Sequence, residues 1–137
     1  MTDIPPEVLE DPARLAQASG QILHVHMFLK PRPGRTPIER TACSATVRYV
    51  VLAEGRAGVY AGGGFLFPGG TPDGGRFSGV LPEATLALDG KTEGFRDALG
   101  RGVFSTRFSA ANDEVLARVI RRASDRVALS VDAVDAD

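Results

Sequence analysis

Residues 58–67 read GVYAGGGFLF. Val59, Tyr60, Phe65, Leu66 and Phe67 are strand formers, but Gly62, Gly63 and Gly64 between them bring no side chain to a pleated surface and weaken a flat strand. Consecutive glycines inside a strand let a neighbouring backbone come close and let the sheet coil, so the stretch predicts a sheet that curls towards closure. Turn chemistry brackets it, with EGRAG at 54–58 before and PGGTPDGG at 68–75 after.

Outward from there the period stays at two. In RTACSATVRYVVLAE (40–54), Thr41, Cys43, Ala45, Val47, Tyr49 and Val51 share one side, and Ser44, Thr46 and Arg48 the other. From Gly20, Leu23, Val25, Met27 and Leu29 form an apolar face, opposite Ile22, His24, His26 and Phe28. PRPGRTPIE (31–39) holds three prolines and reads as a loop. Downstream, RFSGVL (76–81) and EATLALD (83–89) read as two strands divided by Pro82, and RGVFSTRFSA (101–110) as another. Asp11 and Pro12 open a short helix over DPARLAQA, and residues 1–19 read as an N-terminal flap on a domain spanning 20–137. The last third stays open. NDEVLARVIRRAS (112–124) has Asn112 as a cap and Val115, Leu116, Val119, Ile120 and Ala123 at helical spacing, but its β-branched residues and the following RVALSVDAV also suit two closing strands. The expectation is an all-β fold, a single closed antiparallel barrel of about eight strands with a short N-terminal helix.

Composition narrows the class. A chain of 137 residues holds one core. With 43% hydrophobic and 24% charged residues it has the balance of a globular domain. No apolar run nears the roughly 18 residues of a spanning helix. The opening MTDIPPEVLEDPARLAQA lacks the basic and apolar regions of a signal peptide, so no membrane role and a cytoplasmic location are expected. A net charge of −1 without a basic run argues against nucleic acid. The single cysteine, Cys43, excludes an intramolecular disulfide and reads as a small packing residue.

Chemical motifs are few. His24 and His26 share a strand face at a spacing that cupins use, but the chain has no third His, so no metal and no cofactor is expected. GGGFLFPGGTPDGG lacks the Lys-Ser/Thr ending and following helix of a phosphate loop. No Gly-x-Ser-x-Gly elbow occurs, and Cys43 has no evident His-Asp escort.

The most specific stretch is GKTEGFRDALG at 90–100, where alternation stops between two strands. It resembles the corner G-G-T-G-x-F-x-x-A-x-G of the allene oxide cyclase and dirigent β-barrel superfamily. Gly90, Thr92, Phe95, Ala98 and Gly100 match at the same spacing, while Lys91 and Glu93 stand in place of two glycines. His26 resembles the His of that superfamily's first-strand His-Asp pair, with Met27 in place of the Asp, and Leu99 stands where dirigent proteins have an Arg. The resemblance spans residues 20 to about 131 and implies an eight-stranded barrel around a cavity. The departures imply a greasy interior and put dirigent-type acid-assisted chemistry in doubt. Small bacterial members that cyclise polyketide-derived substrates, the spirotetronate and tetramate Diels–Alderases, fit this pattern better.

That likeness implies a cofactor-independent cyclase closing a ring by [4+2] addition on an apolar polyketide-like molecule. The expected lining is Leu23, Val25, Met27, Val47, Phe65, Phe67, Phe77 and Phe104, with Tyr49 and Tyr60 as the hydrogen-bond donors of catalysis. The N-terminal helix and the 31–39 loop are expected to close the mouth. A lipocalin-like carrier of an apolar ligand uses the same cavity without chemistry, and a barrel filled by its own aromatics would be an interaction module. The outer faces of such a barrel suit a homodimer.

Overall fold

The computed structural model describes residues 1–27, 43–69 and 75–133. Leu29 and the 31–39 loop therefore lie outside the described residues. The chain opens with α1 (Pro6–Leu9) and α2 (Pro12–Gln17), followed by β1 (Gly20–Met27), β2 (Cys43–Ala53), β3 (Arg56–Gly69), β4 (Arg76–Lys91) and β5 (Gly102–Ala111). It ends with α3 (Glu114–Ser130) and the short β6 (Asp132–Ala133). As expected, Asp11 caps α2, its carboxylate accepting from the N–H groups of Ala13 and Arg14.

The sheet is an antiparallel meander in the order β1-β2-β3-β4-β5, with β6 joining β4. Among the described residues no ladder joins β1 to β5, so the sheet is not closed and the expected eight-stranded barrel is not shown. It is nonetheless tightly wound where the glycines sit. A Cβ on Gly62 would overlap the Thr85 carbonyl oxygen, and one on Gly64 the Glu83 carbonyl, so β3 and β4 approach closer than any side chain permits.

One further expectation is corrected, and one open choice is decided. Residues 76–81 and 83–89 are not separate strands. β4 runs through Pro82 with a bulge between Leu81 and Ala84, where it carries one residue more than β5. Proline has no N–H to give a ladder, and the bulge is the interior place that tolerates it. The C-terminal stretch, which the sequence left open between a helix and two strands, is helix. Its apolar positions Leu116, Val119, Ile120, Ala123 and Val127 all pack on one core, and tertiary burial of such a stripe outweighs the β-branched preference. Its cap is Asp113 rather than Asn112, the Asp113 carboxylate accepting from the Leu116 N–H at 3.0 Å.

Two apolar clusters lie on opposite faces. On one face α3 covers Ile22, Val50, Leu52, Ala57 and Val59. Residues 1–19 do not hang off the domain as a flap, because Ile4, Leu9 and Leu15 are 4%, 1% and 2% exposed within this same cluster. Burying each such side chain stabilises the fold by about 1.5–3 kcal/mol. Arg48 crosses from β2 to α3, donating to Asp125 at 2.7 Å and to the buried Ser124 hydroxyl at 3.4 Å. On the other face Ala45, Val47, Leu66, Leu81 and Ala84 gather Leu23, Val25 and Met27 from β1 and Phe104 and Phe108 from β5. Residues from both edge strands enter one cluster, which requires the sheet to curl around this face. Among the described residues, no helix is long and apolar enough to cross a membrane.

Candidate functional site

Among the described residues, the curled face carries a larger and a smaller cavity. The larger, about 720 Å³, opens between the two sheet edges. Leu23, Val25 and Met27 line it from β1, Phe77 from β4, and Phe108 from β5. The first turns of α3 cross the gap and add Leu116 and Ile120. Alternation along β1 sets the first three side chains on one side, and the β4 bulge keeps Phe77 on the same side as Ala84 and Leu86. The Phe77 and Phe108 rings lie 6.0 Å apart, tilted by 38°.

The smaller cavity, about 390 Å³, lies at the end bounded by the β2–β3 hairpin and the 92–100 corner. Tyr49, Tyr60, Phe95, Arg56 and Leu99 line it. The corner is built to fill this end of the curled face. Gly94 and Gly100 take positive φ of 81° and 65°, a left-handed conformation that glycine adopts without strain. Thr92 accepts the Ala57 N–H at 2.8 Å through its hydroxyl. The Phe95 ring then lies where a Cβ on Gly58 would stand and meets Tyr60 edge-on at 6.4 Å.

Tyr49 and Tyr60 come together, their rings 6.1 Å apart. Both hydroxyls are already engaged. Tyr60, 1% exposed, donates to Asp97 Oδ1 at 2.9 Å, and Tyr49 donates to Gln21 Oε1. Burial first, then the hydrogen bond to Asp97 and its charge, push the Tyr60 phenol up to about 12. Asp97 is held below the usual carboxylate range, chiefly by the Gly100 N–H and then by the Tyr60 hydroxyl. Burial also raises Tyr49.

The expected lining thus divides. Leu23, Val25, Met27 and Phe77 line the large cavity. Val47 and Phe104 belong to the packed cluster behind it. Phe65 and Phe67 are corrected: they are 62% and 42% exposed and share strand parity with Val59, on the opposite face. The pairing of Val47 with Gly62 and Ala45 with Gly64 puts the glycines, not the phenylalanines, on the curled face. Tyr49 and Tyr60 line the small cavity and not the large one. Sequence reasoning missed Gln21 and Asp97 as their partners, and Phe108 and the start of α3 as walls. Asp97 lies inside the 90–100 corner, and Phe108 carries the alternation signal of β5.

His24 and His26 stand with ring centroids 6.4 Å apart on the α3 side of β1. Burial, then the nearby Arg48, lower His24. Among the described residues no group of three His, Cys, Asp or Glu is placed to hold a metal ion. In comparisons with protein-family models, curated proteins and solved structures, the chain matches none.

Proposed function

We propose that the protein binds an apolar small molecule between the two edges of its curled sheet. The observation that carries this is the cavity of about 720 Å³ with Leu23, Val25, Met27, Phe77 and Phe108 in its walls. Its size falls in the range of small-molecule sites, and its walls are mainly hydrophobic and aromatic, as such sites are. The test is a fluorescence titration with N-phenyl-1-naphthylamine, a neutral dye that brightens in apolar surroundings. One saturable site is expected, weakened at least tenfold in Val25→Trp with the fold intact by circular dichroism. A linear, unsaturable rise in the wild type would overturn the proposal.

A ring-closing enzyme is the second reading, and the 92–100 corner favours it. The residues that resemble the superfamily's corner do join two strands, with Thr92 and Phe95 packed inward. A cofactor-independent [4+2] closure needs chiefly a shaped enclosure that folds a flexible chain into a near-attack conformer. In this reading the large cavity does that work; Tyr60, bonded to Asp97, holds the corner at the small cavity, and Tyr49, bonded to Gln21, ties β2 to β1, so neither polarises the substrate. Loss of the protein from its native host should then cause an isomer of the missing product to accumulate, equal in mass and different in retention time. A metabolite profile without that isomer leaves a carrier.

A further inference from the structure

We propose that the ligand of the large cavity is an amphiphilic anion, its apolar body against Leu23, Val25 and Phe108 and its acidic head at Arg118 and Arg121. This rests on the binding role proposed above and adds the ligand's charge. Arg118 and Arg121 are three residues apart on α3, hence neighbours on its surface, and both line the cavity beside Leu116 and Ile120.

Two carboxylates near them are occupied elsewhere. Asp113 caps the helix through the Leu116 N–H at 3.0 Å, and Asp125 pairs with Arg48 at 2.7 Å. Glu114 stands 4.0 Å from Arg118 with both side chains over 70% exposed, a loose contact that an incoming anion can replace. Arg121 has no carboxylate within ion-pair distance among the described residues. His24 lines the same rim, and its burial beside Arg48 and Arg121 favours the neutral ring. The Met1 ammonium in the same lining already donates to the Leu23 carbonyl at 2.8 Å and is disfavoured by burial, so the uncommitted positive charge at the rim is guanidinium, whose planar fork matches carboxylate, sulfonate or phosphate oxygens.

Two dyes separate the ligand's charge from its body. 1-Anilinonaphthalene-8-sulfonate and N-phenyl-1-naphthylamine share their rings and differ by one sulfonate. Titrated into the full chain at low salt, the sulfonate should bind roughly three- to tenfold tighter, the scale of two partly exposed ion pairs. Arg118→Gln combined with Arg121→Gln should abolish that advantage, bringing the affinities of the two dyes level. Arg118→Lys with Arg121→Lys should retain most of it, and 0.5 M salt should erode it in the wild type. Equal affinities in the wild type, or a preference that survives the glutamine pair, would overturn the anion assignment while leaving the cavity a binding site. Failure of both dyes to saturate would instead remove the binding role, and the anion assignment with it.

Discussion

Tyr60 on β3 and Gly100 in the corner converge on one oxygen, the phenol donating to Asp97 Oδ1 at 2.9 Å and the Gly100 N–H at 2.8 Å. This oxygen fastens the loop between β4 and β5 to the middle of the sheet. Because Tyr60 is raised to about 12, its share of stability is complete below its ordinary value near 10 and is lost as pH rises towards about 12. Asp97 is lowered, so its share is present above the ordinary carboxylate range and is lost as pH falls through its depressed value. In a Tyr49→Phe variant the remaining tyrosinate absorbance should rise with a midpoint well above 10. A midpoint at the ordinary phenol value would mean that Tyr60 is neither buried nor bonded to Asp97 in solution.

Phe95 occupies the space over Gly58 that a methyl group would need. Gly58→Ala should therefore destabilise the protein by about 1–3 kcal/mol, the scale of overpacking. In a Phe95→Ala background the same change should cost much less, since contacting residues are not additive. Equal costs in the two backgrounds, read from urea unfolding, would show that the ring has room to swing aside.

Gly62 meets backbone, not a movable side chain, so its replacement has no cheap escape. Gly62→Ala should cost at least about 2 kcal/mol. Gly102→Ala, at a glycine with nothing within 4 Å of the added carbon, should stay within about 0.5 kcal/mol of wild type. Comparable losses at both sites would argue against the close approach of β3 and β4.

Arg48 and Asp125 join β2 to α3 with side chains 33% and 51% exposed. A double-mutant cycle of Arg48→Met and Asp125→Ala should give a coupling of about 1 kcal/mol or less, diminishing in high salt. A larger, salt-insensitive coupling would mean that this pair, and not the apolar stripe from Leu116 to Val127, docks the helix.

The strands were legible where alternation was clean. Leu23, Val25 and Met27 share the face that their spacing predicts, and the corner at 90–100 does connect two strands. What misled was local grammar with two physical solutions. Pro82 ends a strand or rides a bulge, and the choice depends on neighbouring backbones that a sequence does not display. Val115, Val119 and Ile120 suit a strand alone, and became helical because Ile22, Val50 and Val59 offer a surface for one stripe of them. Phe65 and Phe67 drew attention by size, yet parity with Val59 had already set them on the far side from Tyr60. The partners of the two tyrosines, Gln21 and Asp97, are distant in sequence and come close only through the fold.

The extra residue in β4 acts as a shift of phase. Before it the inward positions are odd, at Phe77, Gly79 and Leu81; after it they are even, at Ala84, Leu86 and Leu88. Removing a single residue at 82–83 would turn three inward positions out to solvent while leaving composition almost untouched. Removing or adding two would preserve the sides. In this strand parity, more than the identity of any one side chain, decides whether the curled face has a wall.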